Sequence, residues 1–571
     1  MKRFAGLVLA VALNATTASA DPFALDANAI VRPVTASGGM VVSSEPIATR
    51  IGVDVLRDGG NAVDAAVTVG FVLAVVRPRA GNIGGGGFML IKRRDSGQVE
   101  VIDYRETAPA AAHRDMFLDA DGNADPQKSR FSHLSAGVPG TVAGLALALK
   151  RAGTISLDAA LRPAIGLAEN GFIVSKQFAD NLKAYEKRLK QWPASAAVFF
   201  KTDGASYEAG DIFLQPQLAG TLRAIAENGP SAFYKGETAT LIEREMRAHD
   251  GLITRADMAA YQPRIRQAVH GSYRSYDVYS MSPPSSGGVH IVQILNILNG
   301  FDLAAAGHNS AQSIHWMTEA MKRAYADRAR YLGDPDFADV PVAGLTAKGY
   351  AEVLRRGITD TATPSQDIKA GTPPGWESNE TTHFSIVDRQ GNAVSNTYTI
   401  NFGFGSGIVV PGTGFLLNNE MDDFSAKPGV PNAYGLIGGT ANAVAPNKRM
   451  LSSMSPTIVL KDGEPFLVTG SPGGSRIITT TLQVVINIID FDMNLQEAVN
   501  APRIHHQWLP DELRVEHGIS ADTVALLKLK GHEVKEKSVM GAANSILVDV
   551  ERRIFHGAGD PRRGGVALGL D

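Results

Sequence analysis

The stretch that decides the architecture runs Asn379-Glu380-Thr381-Thr382-His383-Phe384-Ser385-Ile386-Val387-Asp388, then Arg389-Gln390-Gly391-Asn392, then Ala393-Val394-Ser395-Asn396-Thr397-Tyr398-Thr399-Ile400. Two runs rich in β-branched and aromatic residues flank a polar segment with Gly and Asn, a pattern that predicts a hairpin. Centred on Gln390, the hairpin sets Thr381 opposite Thr399, with Cβ atoms about 5 Å apart. A register one residue off pairs Thr381 with Ile400 instead, so the turn type decides the partner. Upstream, Thr361 to Glu380 is polar and rich in Pro and Gly, and predicts a long exposed connector. A packed enzyme rarely carries such a loop without a use for it. A connector that ends at a threonine opening a strand suits an N-terminal nucleophile. The threonine hydroxyl is weak alone, and a cut before it turns its own α-amine, of pKa about 7.7–8.0, into the base. The same Thr-Thr pair also has a plain reading as ordinary strand residues.

Working outward, the C-terminal part keeps alternating. Thr457 to Leu460 and Pro465 to Thr469 predict another hairpin across Lys461-Asp462-Gly463, followed by Ser471-Pro472-Gly473-Gly474-Ser475-Arg476 and an apolar helix from Ile477 to Ile489. Upstream of the connector the pattern is helical. Ser310 to Leu332 is the clearest helix: Ser310 can cap it, Ile314, Met317, Met321 and Ala324 share a face, and Gly333 and Pro335 stop it. Helical stretches between Asp158 and Tyr261 break at Gly171, Gly210 and Gly229-Pro230. Ala65 to Val76 is apolar but shorter than the roughly 20 residues a membrane span needs, and predicts a buried helix.

The chain has 571 residues, 44% of them hydrophobic and 20% charged, which excludes disorder and allows a large core. A net charge of −3 argues against a general nucleic-acid binder. There is no cysteine, so disulfides, thiolate metal sites and cysteine nucleophiles are excluded. Lys2 and Arg3, the apolar run Phe4 to Leu13 and Ala18-Ser19-Ala20 read as a cleavable signal peptide over residues 1–20, which implies export, with the periplasm as the expected location and no membrane anchor. P-loop, zincin and nucleophile-elbow motifs are absent, and Met89 stands where a dinucleotide fingerprint after Gly84 needs glycine. Adjacent His505 and His506 would point apart on a strand, so a structural role is expected rather than metal binding.

With these residues in view, the sequence resembles the γ-glutamyltransferase family, of the bacterial periplasmic type and the N-terminal nucleophile hydrolase class. The resemblance is carried by ESNETTHFSIVD (Glu377–Asp388), NNEMDDFSAKPGVPNAYGL (Asn418–Leu436), LSSMSPT (Leu451–Thr457) and TGSPGGSRI (Thr469–Ile477). Upstream it is carried by AGNIGGGGFM (Ala80–Met89), DYRETAP (Asp103–Pro109) and PPSSGGVHIVQILN (Pro283–Asn296). It spans essentially the whole mature chain.

The resemblance implies an α+β fold, a four-layer αββα sandwich built from two chains cut from one precursor. The cut would fall between Glu380 and Thr381, giving a large subunit, 21–380, and a small subunit, 381–571, associated as a heterodimer. It implies Thr381 as nucleophile, Thr399 as its hydrogen-bond partner, and backbone N–H groups of Gly473 and Gly474 as the oxyanion site. The glutamyl end of the substrate is a zwitterion, so its pocket needs both signs. Arg105, with Ser452 and Ser453, would hold the α-carboxylate. Glu420 and Asp423, with Asn401 beside them, would hold the α-ammonium; a spacing of three sets both carboxylates on one side of a turn. Pro428 to Gly439 aligns with a lid loop whose gate is Tyr434. The implied reaction moves a γ-glutamyl group from glutathione or another γ-glutamyl amide to water, or to an acceptor amino acid or dipeptide, with no cofactor and no metal. Two other readings stand beside it: an acylase for glutaryl-cephalosporins or poly-γ-glutamate, and an uncut periplasmic binding protein.

Overall fold

The computed structural model describes residues 31–373 and 383–571. The signal-peptide reading over 1–20, the junction Glu380–Thr381 and the nucleophile Thr381 lie outside the described residues.

Two seven-stranded sheets, antiparallel throughout, lie face to face. The first contains the predicted hairpin, with strands in the order Val566–Leu570, Gly39–Ser43, Phe384–Asp388, Ala393–Thr399, Gly86–Lys92, Val99–Asp103, Arg264–Gln267. The second runs Val34–Ala36, Ile554–Ala558, Ser545–Asp549, Glu464–Thr469, Thr457–Lys461, Tyr276–Ser280, Val269–Tyr273. The two-residue period of each strand sorts its side chains into two cores. Met40, Val42, Phe88, Leu90 and Val387 of the first sheet pack on Ile458, Leu460, Val468 and Ile546 of the second. Their neighbours Val41, Met89, Ile91, Ile386 and Val394 point the other way, into helices that include Ala62–Val76. The outer face of the second sheet is covered by Ser286–Leu298, Ala311–Tyr331 and Arg476–Ile489. The result is the expected four-layer αββα sandwich.

Local chemistry accounts for the elements that were legible. Phe384 pairs with Asn396 and Val387 with Ala393, so the hairpin is centred on Gln390. The predicted buried helix runs Ala62–Val76; Asn61 and Asp64 form a capping box at its start, and its whole length is buried. Ser310 caps Ala311–Tyr331 through the Ser313 N–H. In the second hairpin, Lys461 pairs with Glu464, so the turn is only Asp462-Gly463. Both residues have positive φ, 52° and 82°, the geometry that a two-residue Asp-Gly turn supplies. Over residues 361–373 the connector is largely irregular and at the surface, as expected, but it is anchored at two points. Ser365 and Ile368 are buried, and Trp508 Nε1 donates to the carbonyls of both, at 2.8 and 3.1 Å. The Gly371 N–H donates to Asp327 at 2.8 Å, so this segment is fastened to the body. His505 and His506 do point apart. His505 bonds Thr479 and Gln507, and His506 bonds Asp511.

Candidate active site

The end of the strand Val99–Asp103 delivers Arg105. Its backbone is set by the Arg105 N–H to Asp103 Oδ1, at 2.9 Å, and by Tyr261 OH to the Arg105 carbonyl, at 2.9 Å. The side chain is completely buried. Its guanidinium forks: Nη1 donates to Glu420 at 2.6 Å, and Nη2 donates to Asp423 at 2.7 Å. Glu106 stands 3.4 Å from Nη1. Glu420 and Asp423 open and close a single 3₁₀ turn, Glu420–Asp423, which aims both carboxylates at one cation. Burial, more than its neighbours, pushes Asp423 up to about 8; Arg105 opposes that rise and Glu420 adds to it. Burial likewise lifts Glu106 to about 7, again opposed by Arg105.

The turn is held from behind by a residue that sequence reasoning did not single out. Asn418 Nδ2 donates to the carbonyls of Gly84 and Gly137, at 2.9 and 2.8 Å, while its Oδ1 accepts from the N–H groups of Gly137 and Glu420. Only an amide has both faces for this. Asn401, with φ 69°, donates from Nδ2 to the Asn419 carbonyl at 2.9 Å and so lies beside the turn as expected. Ser452 and Ser453 are completely buried in the segment after Met450, whose carbonyl accepts from Arg105 Nε at 3.4 Å. Neither serine hydroxyl has a hydrogen-bond partner among the described residues. Orphaned buried hydroxyls are costly, and two side by side mark a place where a polar ligand group would satisfy them.

A cavity of about 320 Å³ is lined by Thr399, Asn401, Glu420, Tyr434, Gly473 and Gly474, among others. Arg105, Asp423, Ser452 and Ser453 are not in its lining; Glu420 is the member of both groups. The Asn401 N–H donates to Thr399 Oγ1 at 2.7 Å, and among the described residues the threonine O–H has no acceptor. Gly473 and Gly474 have φ 138° and 61°, and a Cβ on Gly474 would fall 2.6 Å from the Tyr434 ring. Among the described residues neither glycine N–H donates to another protein group. Tyr434 OH donates to Asn401 Oδ1 at 2.8 Å. Asn432 and Gln507 fasten its backbone. The loop over the cavity is therefore latched to the same asparagine that touches the Glu420 turn. His383 also lines the cavity; burial lowers it to about 3, so its imidazole is neutral.

Among the described residues, one group outside this site could ligate a cation by composition: His133, Glu245 and His249. Glu245 lies 3.0 Å from His133 Nε2, its hydrogen-bond partner, and 3.5 Å from Nε2 of His249, whose ring stacks on that of His133. None of the three lines the cavity.

Residues 48–570 match the family model described as Gamma-glutamyltranspeptidase. The chain is 57% identical over 535 residues to the glutathione hydrolase proenzyme of Escherichia coli (strain K12), covering 93% of this chain and 92% of that protein. In structure it is similar to the cephalosporin acylase from Bacillus halodurans, with TM-score 0.85, 28% identity and coverage of 96% and 99%. It is also similar to gamma-glutamyltranspeptidase of Helicobacter pylori, with TM-score 0.57 and 49% identity, over 58% of this chain and 94% of that one. The fold, the motif-bearing segments and these likenesses agree, and the chain belongs to the gamma-glutamyltranspeptidase family.

Proposed function

We propose that the chain is a γ-glutamyltransferase with glutathione hydrolase activity, made as a precursor that cuts itself between Glu380 and Thr381. The observation that carries this reading is the buried Arg105–Glu420–Asp423 set beside the cavity that Thr399, Asn401, Gly473 and Gly474 line. A zwitterionic head group needs a cation and anions within one side chain's reach, and this set supplies both. The hairpin register, continued by three residues, would pair position 381 with Thr399. The free O–H of Thr399 would then donate to the nucleophile.

The Thr381 hydroxyl would attack the γ-amide carbonyl. Its α-amine would take the hydroxyl proton and pass it to the leaving nitrogen, giving a γ-glutamyl ester and a free amine. The N–H groups of Gly473 and Gly474 would receive the developing oxyanion, and Tyr434 would cover the bound group. Water or an acceptor amine would then open the ester and return the proton to Thr381. Subunits 21–380 and 381–571 would remain together, after removal of 1–20 on export to the periplasm. The glutathione hydrolase name of the Escherichia coli relative supports glutathione as donor.

The likeness to cephalosporin acylase keeps a second reading in view, a glutaryl acylase. A glutaryl group has no α-ammonium, and would give Glu420 and Asp423 nothing to bind.

Intact mass and N-terminal sequencing of the purified exported protein test the processing. Two chains are expected, the smaller beginning Thr381-Thr382-His383; a single uncut chain overturns the catalytic assignment. Turnover of γ-glutamyl-4-nitroanilide over glutaryl-4-nitroanilide tests the donor class, and equal rates overturn it.

A further inference from the structure

The group formed by His133, Glu245 and His249 lies outside the γ-glutamyl machinery, and the reaction proposed above does not use it. Its members come from two elements that are fixed independently. His133 opens the 3₁₀ turn His133–Ser135, which Ser132 caps through the Leu134 N–H. Glu245 lies on the helix Glu237–Ala248, and His249 ends that helix, with its N–H on the Met246 carbonyl. A spacing of four puts Glu245 and His249 on one side of the helix.

Glu245 Oε1 is 3.0 Å from His133 Nε2 and 3.5 Å from His249 Nε2, and one ligand atom from each residue lies within 4.8 Å of the other two. Zinc bonds of about 2.0–2.2 Å in a tetrahedron set neighbouring donor atoms roughly 3.3–3.6 Å apart, so both carboxylate distances are close to the spacing of a metal site. The two imidazoles stack with centroids 4.5 Å apart and 14° between their planes. Parallel rings send their lone pairs side by side, so an ion needs one ring to swing until the two converge. His249 has that freedom: its side chain is 43% exposed and stands past the last turn of its helix, whereas the side chain of His133 is only 1% exposed. The same gradient from exposed to buried gives an ion its way in. Trp192 walls the pair, edge-on to His133 at 4.9 Å and to His249 at 5.5 Å. Its Nε1 is buried with no acceptor among the described residues. An orphaned buried donor calls for an explanation, and a water or hydroxide on the open position of an ion is an acceptor of the kind it lacks.

We propose that His133, Glu245 and His249 form a three-ligand zinc site whose fourth position takes water. Two imidazole nitrogens and one carboxylate oxygen are donors that zinc favours, whereas magnesium and calcium call for oxygen alone. The role is structural, since none of the three lines the cavity. The ion ties the helix Glu237–Ala248 to the segment that braces the Glu420–Asp423 turn. On one side of His133, Ser129 and Arg130 donate to Asp422 at 3.1 and 3.0 Å; on the other, Asn418 holds both the N–H and the carbonyl of Gly137.

The test uses the metal alone on the full purified protein after dialysis against EDTA. Calorimetric titration with Zn²⁺ should show one saturable site per chain, and a hundredfold excess over Kd should raise Tm by about 2 °C. Mg²⁺ at the same concentration should leave Tm where it was. Co²⁺ in place of zinc should give the intense visible bands of a tetrahedral ion. His249→Asn changes an exposed position and should remove the bound ion, the cobalt bands and the rise in Tm together. Glu245→Gln should weaken binding by at least about tenfold, the loss that removal of a mere supporting residue already brings. The chain has 13 histidines, so binding that His249→Asn leaves intact means an adventitious ion only, and overturns the site. Absence of saturable zinc binding, the weak bands of hydrated cobalt, or an equal response to Mg²⁺ overturns it as well. None of these readouts depends on turnover, so the γ-glutamyl reading stands or falls separately.

Discussion

Replacing Arg105 tests the buried ion set most directly. The guanidinium spreads its charge over two bonds, Nη1 to Glu420 at 2.6 Å and Nη2 to Asp423 at 2.7 Å. A lysine ammonium is a point charge on a shorter reach; it serves one carboxylate and leaves the other buried without a cation. One charge-assisted bond contributes about 1.5–3 kcal/mol. Arg105→Lys should therefore raise the donor KM about ten- to hundredfold, with kcat falling less. Arg105→Gln removes the cation altogether and should destabilise the fold by about 3–5 kcal/mol, as breaking a buried pair does. That loss carries a pH signature. Burial already lifts Asp423 to about 8 and Glu106 to about 7, and Arg105 is what pulls each back. Without it both rise further. A carboxyl whose folded pKa exceeds its unfolded value keeps its proton preferentially in the native state. Its contribution to stability is complete below the unfolded value near 4, and is lost as pH climbs through the folded value. The glutamine variant should thus melt close to the unaltered protein at pH 5 and well below it at pH 8. Saturation curves with γ-glutamyl-4-nitroanilide and melts at the two pH values measure both effects. A KM for Arg105→Lys within about twofold, or a melting deficit for Arg105→Gln that is the same at both pH values, refutes the reasoning.

Glu420→Gln removes one of two anions from a shared cation, and should raise donor KM more than it lowers kcat; unchanged KM in steady-state assays would count against an ammonium role. Gly474→Ala puts a Cβ 2.6 Å from the Tyr434 ring at a φ of 61°, and should lower kcat by at least tenfold while far-ultraviolet dichroism stays native. Tyr434→Phe deletes the bond to Asn401 Oδ1, about 1 kcal/mol of loop fastening, and should increase the share of hydrolysis over transfer when products are separated by chromatography. Asn418→Asp replaces the two donors that reach the Gly84 and Gly137 carbonyls with a carboxylate, and should lower the melting temperature as well as donor affinity.

What was legible in the sequence was local. The hairpin could be written down, and the observed pairs centre on Gln390, because alternation and a Gly-Asn turn leave few options. The helix Ala62–Val76 and the Ser310 cap follow from apolar runs and caps for the same reason. The Glu420–Asp423 turn was readable from a spacing of three. What pairs across the fold was not. The strand Gly39–Ser43 lies between the hairpin and Val566–Leu570, a neighbour from the far end of the chain that alternation alone cannot name. Arg105 and Glu420 stand 315 positions apart, and it was the family resemblance, not spacing, that brought them together. Asn418 escaped notice because its role depends on two carbonyls of distant loops. Of the arginines that line the cavity, Arg476 lies in a quoted motif, whereas Arg77, Arg79, Arg188 and Arg563 come from scattered segments with none. The anchoring of the connector at Ser365, Ile368 and Gly371 was not legible, because composition reports polarity, while Trp508 and Asp327, far away in sequence, decide what that segment touches.

The internal pairing of Arg105 also bears on which donor the site prefers. Without substrate, a lone buried guanidinium or two lone buried carboxylates would each cost several kcal/mol. Pairing them with one another avoids that. A γ-glutamyl group can enter by exchange: its carboxylate takes the arginine fork, with Ser452 and Ser453 gaining the partner they lack, and its ammonium takes Glu420 and Asp423. Every ion that loses a partner receives another, so opening the pocket is nearly balanced. A glutaryl group offers nothing in place of the ammonium. If its chain occupies the pocket and separates Arg105 from the carboxylates, Glu420 and Asp423 are left buried and unpaired, at about 3–5 kcal/mol. If it leaves the pair intact, it forgoes the pocket. Either way the site should discriminate, by roughly two to nearly four orders of magnitude where the pair is broken. On the proposed reading the acidic pair would favour γ-glutamyl donors within a fold shared with acylases, because every donor without an α-amine would have to break an ion pair that it cannot replace.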